Sequence, residues 1–307
     1  MRLIRGLGGW GSASASCALT IGAYDGLHLG HQALLARLTE RASAAGLPAK
    51  LVTFEPLPRE YLSPQDPPAR LTSLRERWRI LQGSPLESLW LLRFGEALRN
   101  LRAESFAQLL AREGGARIVV VGHDFRFGYR GEGNAGLLEA AGRRLGFAVE
   151  VLAPVALGGE RVSSSLVRAA LAAGDFTRAA GYLGRPWSMR ARVVSGERLG
   201  RELGFPTANL PLERTRSPVV GVFAVRVHGI AAAALPAVAS LGTRPTVNGT
   251  RALLEVHVFD FSGDLYGREI EVEFVAKLRE EERFASLALL KEQIERDALQ
   301  ARGILGC

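Results

Sequence analysis

Residues 19–31 read LTIGAYDGLHLGH, and an amphipathic helix pattern follows directly behind them. The stretch predicts an apolar strand, a tight turn with three glycines, and then His28 and His31 at the mouth of a helix. Glycine lets a backbone approach a ligand closely, and a helix N-terminus offers unpaired N–H groups and a positive dipole end to an anion. Imidazoles at such a place can hydrogen-bond to phosphate oxygens and stabilise developing charge. The stretch therefore predicts a strand–turn–helix phosphate site.

A zinc site is one alternative for a His-x-x-His pair, and two surface histidines are another. Zinc needs further Cys or His ligands at fixed spacing. The chain has only Cys17 and Cys307 as cysteines, and its three other histidines are scattered. The phosphate interpretation is therefore favoured, and no zinc is expected.

The composition indicates a globular protein of about two domains. Of its 307 residues, 47% are hydrophobic and 23% are charged, which is enough to build real cores. No apolar run approaches the ~20 residues that span a bilayer, and residues 1–6 lack a signal-peptide pattern. Two distant cysteines cannot form a disulfide framework, so we expect a cytoplasmic protein without a membrane partner.

The formal net charge of +8 suits either nucleic acid or polyanionic small molecules as partners. The basic residues do not cluster in a tail, and no block of five like charges occurs. We therefore expect no nucleic-acid partner. The sequence predicts nothing about the oligomeric state.

Residues 18 to about 184 alternate short apolar runs with amphipathic helix patterns. The predicted strands are 18–24, 49–54, 88–94, 117–122 and 148–155, and the predicted helices are 31–46, 73–83, 103–113, 134–146 and 164–181. This alternation predicts an α/β domain with a doubly wound parallel sheet, whose ligands lie at the carboxyl ends of the strands. The proline-rich residues 55–70 are too long for a plain connector and suggest a functional flap.

The pattern changes after Gly184. Strand-like runs follow one another without intervening helices, and one helix pattern ends the chain; the strands are 189–195, 219–228, 235–241, 252–261 and 268–278, and the helix is about 286–301. This order predicts an antiparallel β-barrel or sandwich with a terminal helix. The predicted domains are therefore residues 1–183 and 184–307.

Three further patches in the first domain carry polar or aromatic side chains. They are residues 53–58 (TFEPLP), 121–128 (VGHDFRFG) and 161–168 (RVSSSLVR). Serines that open a helix can cap it or hold phosphate, and an arginine can pair with phosphate through a bidentate fork. Each patch alone is a weak signal, whereas their joint order in one α/β domain is a strong one.

Residues 196–210 (GERLGRELGFPTANL) form the richest stretch of the second domain. Glycines at four-residue spacing, among them Gly196 and Gly200, suit a loop whose backbone folds over phosphates. Thr207 and Asn209 alternate along an extended segment, so their oxygens point to one side. Oxygen ligands at this spacing suit Mg²⁺ that bridges ATP phosphates. A glycine-rich hairpin with a polar edge is the alternative.

Glu255 is a lone carboxylate inside the apolar residues 253–260 (LLEVHVFD). A solvated strand face would explain it, because His257 shares its side. It would equally serve as a base that takes a proton from an attacking hydroxyl. Any kinase here works without a P-loop, since no G-x-x-x-x-G-K-[ST] occurs. Two G-x-G-x-x-G patterns, at 6–11 and 131–136, lack the context of a dinucleotide-binding unit.

The turn at residues 22–31 resembles the G-x-F-D-x-x-H-x-G-H motif of the HxGH nucleotidyltransferases, which join a nucleotide's α-phosphate to an acceptor and release pyrophosphate. With the three patches, it resembles the FMN adenylyltransferase module of the prokaryotic bifunctional riboflavin kinase/FAD synthetases. The resemblance implies that ATP is held by Gly22, Asp25, His28, His31, Ser164 and Arg168, with the two histidines catalytic. It implies that the flavin is bordered by Phe54, Asp124 and Phe125.

Two departures from the family pattern are visible. Ala23 stands where many relatives have Asn, and His123 precedes the aspartate where an acidic residue is common. Ala23 removes a polar side-chain contact, which would weaken ATP binding, but it leaves the histidine pair unchanged.

Residues 184–307 resemble the riboflavin kinase domain. The segments 200–209 (GRELGFPTAN), 241–246 (LGTRPT) and 264–267 (DLYG) occur in family order. The resemblance implies that Gly196, Gly200, Thr207 and Asn209 bind ATP. It further implies that Thr207 and Asn209 hold Mg²⁺ and that Glu255 is the catalytic base.

The two resemblances together imply a bifunctional enzyme of flavin cofactor biosynthesis. It would phosphorylate riboflavin to FMN with ATP, then adenylylate FMN to FAD with a second ATP and release pyrophosphate, with Mg²⁺ as cofactor. One alternative is a chain in which one module has lost activity, to which Ala23 points. Another is a basic nucleic-acid-binding or regulatory flavin-binding protein.

Overall fold

The structure is a computed structural model that describes residues 1–6, 16–196, 200, 203–214, 216–246 and 249–307, with the backbone alone for 243–246 and 249–251. The chain forms two compact units. The first unit contains Met1–Pro68 and Arg77–Ser163, and the second contains Ala69–Glu76 and Ser164–Cys307.

The first unit is built on a parallel sheet of six strands. The strands are β1 Arg2–Arg5, β2 Cys17–Ile21, β3 Ala49–Glu55, β4 Ser88–Arg93, β5 Ala116–Gly122 and β6 Ala148–Leu152. They lie in the order β1-β4-β3-β2-β5-β6, and all neighbours run parallel. The chain builds outward from β2 in one direction and from β5 in the other. The switch point of this doubly wound sheet therefore lies at the end of β2, where such folds bind ligands.

Helices cover both faces of this sheet. The helices of this part of the chain are α1 Leu29–Ala44, α2 Pro58–Leu62, α3 Leu74–Leu81, α4 Glu96–Arg99, α5 Ala103–Arg112 and α6 Ala135–Leu145, and the first three residues of α3 belong to the second unit. Leu38 of α1 packs with Leu51 and Val120 on one face, and Leu110 of α5 packs with Val119 on the other. Strands buried on both faces read as continuous apolar runs, which is why the sequence pattern located the central strands. It did not predict β1, an edge strand whose residues are mostly exposed. A small hairpin of β7 Ala156–Leu157 and β8 Glu160–Arg161 ends the unit.

The second unit is an antiparallel, nearly closed barrel. Two helices precede it, α7 Ser164–Ala172 and α8 Phe176–Leu183. Its strands are β9 Ser188–Arg192, β10 Ala208–Pro211, β11 Gly221–His228, β12 Leu235–Thr246, β13 Gly249–Val258 and β14 Glu269–Arg279, in the order β10-β13-β12-β11-β14-β9. A bridge between Val194 and Asn209 joins the two edges. The terminal helix, α9 Leu287–Leu305, packs against β11 and β12. The predicted fold class is therefore confirmed, with the barrel rather than the sandwich.

The helix predicted over 164–181 is two helices. Gly174 has a φ of +74°, which stops the helical backbone after α7. Asp175 then caps α8 by accepting a hydrogen bond from the Arg178 N–H at 2.9 Å. The apolar spacing continues through this break, so periodicity alone did not reveal it. The proline-rich segment also contains α2, with Pro58 in its first turn.

Residues 69–76 pack within the second unit, although their neighbours on both sides in the sequence belong to the first. The Arg70 N–H donates to the Arg216 carbonyl at 3.2 Å, and Trp187 Nε1 donates to the Leu71 carbonyl at 3.2 Å. Glu76 forms an ion pair with Arg214 in which both side chains are buried. The domain boundary at 183/184 stays a prediction from sequence. Residues 69–76 and the helices α7 and α8 lie on the N-terminal side of that boundary, but they belong to the second compact unit.

Within the described ranges of the chain, no helix has the length and apolar character needed to cross a membrane.

Candidate active sites

The first candidate site is the turn between β2 and α1, residues 22–31, here called the histidine turn. Tyr24, Gly26 and Leu27 have φ values of 50°, 83° and 48°. This left-handed backbone costs about 1–3 kcal/mol for a residue other than glycine, so the surroundings must hold it. The Tyr24 and Leu27 side chains are buried, and the Tyr24 hydroxyl hydrogen-bonds to Thr20 Oγ1 at 2.6 Å. Buried side chains and this hydrogen bond therefore hold the backbone of the turn in its left-handed conformation.

His28 and His31 lie together at the start of α1. His28 is the N-cap, and its Nδ1 accepts a hydrogen bond from the His31 backbone N–H at 3.4 Å. The two imidazoles stack with 3.7 Å between ring centroids and 19° between planes. A Cβ on Gly30 would lie 3.1 Å from Cε1 of His28, so a larger residue would crowd this ring. The glycine between the histidines thus makes room for their stacking.

His31 is neutral at neutral pH. Burial of its ring is the main reason that its pKa lies well below the ordinary value, and the nearby His28 and Arg77 lower it further. Its buried Nδ1 has no hydrogen-bond partner among the described residues. His31 can therefore donate a hydrogen bond to phosphate as a neutral imidazole, which refines the expectation that the pair stabilises charge.

Arg77 is a buried residue of this site that the sequence analysis missed. Its Nη1 donates to the Ala23 carbonyl at 3.0 Å and to Thr53 Oγ1 at 3.1 Å, and its Nη2 donates to Glu55 Oε2 at 2.8 Å. Thr53 Oγ1 also donates to the Ala23 carbonyl at 3.2 Å. A signal was present, because Arg77 falls on the apolar face of α3, three residues after Leu74.

Two more predicted residues lie in the histidine turn itself. A Cβ on Gly22 would lie 3.0 Å from the Tyr24 ring, so glycine allows the ring to fold back over the turn. Asp25 is buried, with 2% of its surface exposed. Their roles in ATP binding stay predictions.

The predicted flavin-bordering residues belong to the first unit. Phe54, at the end of β3, is buried and packs edge-on against Phe94, with 5.8 Å between ring centroids. Phe125 stacks on Phe127 at 5.4 Å between ring centroids. Asp124 forms an ion pair with Arg161. Burial, the largest single effect, raises the pKa of Asp124, but the hydrogen bond and the charge of Arg161, with smaller contributions from a backbone hydrogen bond and His123, together hold it below its ordinary value.

Ser164 and Arg168 lie in α7 of the second unit, whereas the histidines lie in the first. Arg168 Nε donates to the Ala69 carbonyl at 2.6 Å, which fixes its side chain to the residues 69–76. The predicted contact of both residues with ATP stays a prediction.

The second candidate site is a cavity of about 230 Å³ in the second unit, here called the barrel cavity. Four residues predicted from sequence line it: Gly200, Thr207, Asn209 and Glu255. Asn209 on β10 lies directly opposite Glu255 on β13, and Ser240 on β12 lies on the other side of Glu255. The fold therefore brings the proposed base and the oxygen ligands into one space.

The predicted glycines lie next to the proposed oxygen ligands. A Cβ on Gly196 would lie 2.5 Å from Asn209 Nδ2. A Cβ on Gly200 would collide with the Phe205 carbonyl and lie 3.3 Å from Thr207 Oγ1. Most of the predicted phosphate loop between them lies outside the described residues.

The barrel cavity is lined by four charged residues that the sequence analysis missed: Arg279, Glu281, Glu282 and Asp297. Arg279 Nε donates to Asp297 Oδ1 at 3.0 Å and its Nη2 donates to Oδ2 at 2.7 Å, which ties β14 to α9. The Glu281 carboxylate occupies the space that a side chain at Gly242 would fill. Burial of this carboxyl and the charge of Glu255 raise its pKa above the ordinary value, and Arg279 opposes them. Glutamates in the loop after β14 give no sequence pattern that marks them.

No group of three or more His, Cys, Asp or Glu side chains could hold a metal ion among the residues that the structure describes. The hydroxyl of Thr207 and the amide oxygen of Asn209 are hard oxygen donors, with the Glu255 carboxylate opposite. This donor set fits Mg²⁺ when ATP phosphates supply the remaining ligands.

Residues 11–166 match the FAD synthetase family, and residues 183–305 match the riboflavin kinase family. The bifunctional riboflavin kinase/FMN adenylyltransferase of Escherichia coli strain K12 is 46% identical over 100% of this chain and 98% of its own length. That of Pseudomonas fluorescens is 46% identical over 99% of this chain and 98% of its length. The chain belongs to the bifunctional riboflavin kinase/FMN adenylyltransferase family.

Family membership confirms the predicted relationship and the predicted enzyme class. The chain is a riboflavin kinase and an FMN adenylyltransferase, so it acts in flavin cofactor biosynthesis, with ATP as substrate and FMN and FAD as products. A solved structure, described as a macrolide-efflux protein from Streptococcus pneumoniae, is similar over 97% of both chains, with a TM-score of 0.77 and 31% identity.

Proposed function

We propose that the second unit phosphorylates riboflavin with Glu255 as the base, and that the first unit adenylylates FMN at the histidine turn. The observation that carries the proposal is the convergence of Thr207, Asn209 and Glu255 on the barrel cavity. Oxygen ligands for an ATP–metal complex and a proton acceptor for the attacking hydroxyl then share one space.

In the kinase step, Glu255 takes the proton of the riboflavin 5′-hydroxyl. The hydroxyl oxygen forms a bond to the γ-phosphorus of ATP, the bond to the β,γ-bridging oxygen breaks, and ADP leaves. Positioning and charge stabilisation provide most of the acceleration in such transfers. The place of Glu255 on β13 supports this role, because it lines the barrel cavity opposite Asn209, and a general base must lie within reach of the proton that it takes.

Thr207 and Asn209 would hold Mg²⁺ together with the ATP phosphates. Bound Mg²⁺ supplies neutralisation of the charge that develops on the phosphates. Gly200 supports this arrangement, because a side chain there would collide with the Phe205 carbonyl just before Thr207.

In the adenylylation step, an FMN phosphate oxygen forms a bond to the α-phosphorus of a second ATP. The bond to the α,β-bridging oxygen breaks and pyrophosphate leaves. His28 and His31 donate hydrogen bonds to the phosphates beside the N-terminus of α1, whose dipole favours negative charge. The stacking of the two rings supports this role, because it holds both donors on one side of the turn.

The proposal includes a cytoplasmic location, which the consumption of two ATP molecules supports. Gly22 and Asp25 are assigned to ATP, and Phe54, Asp124 and Phe125 to the flavin, on the strength of the family pattern.

The test follows riboflavin, FMN and FAD over time with ATP and Mg²⁺ in the full-length chain. We expect E255Q to lower FMN formation by ~10²–10⁴-fold, the usual contribution of a general base, while supplied FMN is still converted to FAD. H28A/H31A should accumulate FMN and make no FAD, with its effect on turnover more than on FMN affinity. The control is E292Q, an exposed carboxylate on α9.

Either half of the proposal can fail by itself. FMN formation by E255Q within threefold of wild type would remove Glu255 from the mechanism. Normal FAD formation by H28A/H31A would show that the histidine turn is not the site of adenylylation.

A further inference from the structure

Arg77 is a buried cation that the two proposed reaction mechanisms do not use. Its side chain is only 1% exposed. Burial of a charged group is strongly unfavourable unless it is paired and hydrogen-bonded, and replacing a whole buried ion pair by apolar residues is often neutral for stability. A buried arginine is therefore weak evidence for a role in stability alone.

The donors of Arg77 are directed at the start of the histidine turn. The guanidinium reaches Ala23, Thr53 and Glu55 at once, and its bond to Ala23 is to the backbone carbonyl. Ala23 has no polar side chain of its own, and the residue after it, Tyr24, has a φ of 50°. Nη1 donates to this carbonyl while Nη2 is held by Glu55, and the planar guanidinium fixes the direction of such bonds better than a flexible amine does.

We propose that Arg77 is a positioning residue for adenylyl transfer, which holds the Ala23 carbonyl so that the histidine turn presents His28 and His31 to the ATP phosphates. This inference rests on the proposed role of the two histidines.

Arg77 also acts on His31 through its charge. The ring of His31 lies between Tyr24, at 4.7 Å, and His28, at 3.7 Å, between ring centroids. The charge of Arg77 adds to the burial and to the effect of His28 that lower the pKa of His31. Arg77 therefore helps to keep this imidazole neutral as well as in place.

The two activities of one chain provide the experiment with an internal control. R77M, R77K and R79M are assayed in the full-length protein for riboflavin to FMN and, separately, for supplied FMN to FAD. Arg79 is an exposed residue on the same helix. We expect R77M to lower kcat for FAD formation by ~10²-fold, the size expected for a misplaced site, with KM for FMN within about threefold.

R77K should recover FAD formation to within about tenfold of wild type, because an ammonium still reaches one of the acceptors. FMN formation should be unchanged in all three variants. NMR titration of the His31 ring should show a higher pKa in R77M than in wild type, because the positive charge near the ring is lost. The loss of kcat with KM for FMN nearly unchanged is the result that a residue which only supports folding would not produce.

FAD formation by R77M within threefold of wild type overturns the proposal, and so does a parallel loss of both activities in R77M and R77K. If H28A/H31A abolishes FAD formation while R77M does not, the proposed role of the two histidines is retained and the proposed role of Arg77 is rejected. If H28A/H31A makes FAD normally, the proposed site itself has failed.

Discussion

His31 shows at the scale of one residue how burial determines chemistry. An imidazole in water titrates near neutral pH, and the sequence alone predicts a pair of rings able to carry charge. Enclosed between Tyr24 and His28, and near Arg77, His31 keeps its neutral form. Its proposed role, the donation of a hydrogen bond to phosphate, then depends on hydrogen-bond geometry more than on charge.

The lowered pKa of His31 predicts how stability depends on pH. The unfolded chain binds a proton to His31 as the pH falls below about 6.5, whereas the folded chain does not until the pH reaches its lowered value. The free energy of unfolding should therefore decrease as the pH falls from about 7.5 to 5.5. The contribution of His31 to this decrease ends at the pKa that His31 has in the folded chain. Urea unfolding at several pH values measures it.

The control is H31Q, whose side chain does not titrate. The difference between wild type and H31Q should change over this pH range. Parallel curves for the two proteins would contradict the neutral assignment of His31.

At the scale of the element, α3 shows how one short helix serves two environments. Glu76, in its first turn, accepts a hydrogen bond from the Arg190 N–H at 2.8 Å and pairs with Arg214 inside the second unit. Arg77, the next residue, donates to the histidine turn of the first unit. Each of the two residues is therefore buried by contacts within its own unit.

E76Q should destabilise the protein by about 3–5 kcal/mol, because it leaves the charge of Arg214 buried without its partner. The matched control is E213Q, whose pair with Arg75 at 3.7 Å is between exposed side chains and should change stability by less than about 1 kcal/mol. Denaturant unfolding, followed by tryptophan fluorescence and by FMN formation, measures both variants. Equal stabilities for E76Q and E213Q would show that the buried pair contributes nothing.

At the scale of the whole molecule, the second unit contains more than its strands. Phe176 of α8 packs with Trp187, Phe223 and Phe274, with 6.5 Å, 5.9 Å and 5.8 Å between ring centroids. Removal of a buried Phe typically costs about 3–5 kcal/mol. The helices before residue 184 are therefore part of the core of this unit.

Two fragments, 164–307 and 185–307, test this arrangement. We expect both to make FMN and neither to make FAD, because Glu255 lies in this part of the chain and the histidines do not. The fragment 164–307 should unfold at the higher denaturant concentration, since it keeps Phe176 in the aromatic cluster. Both should be less stable than the full chain, because they lack Glu76. Equal unfolding midpoints for the two fragments would contradict a structural role of α8.

The local order of the sequence was sufficient for most of the fold and for naming the residues at the centres of both candidate sites, whose roles stay predictions. Strand and helix patterns are set by the spacing of apolar residues along a few turns, and turn chemistry by single glycines, so both are visible without tertiary information. The pairing of His28 with His31 is local in the same sense. Thr207, Asn209 and Glu255 were found by their residue types and by family motifs.

Contacts between distant positions were decided by the tertiary structure. Arg77 reaches Ala23 across 54 positions, and Arg214 reaches Glu76 across 138. Neither pair has a local pattern, because its energy comes from burial that exists only when the chain is folded. For the same reason the sequence did not reveal the neutral state of His31, the Glu281 carboxylate against Gly242, or the packing of residues 69–76 with the barrel. Periodicity records which side of an element is buried, whereas the folded chain alone determines what each buried polar group meets there.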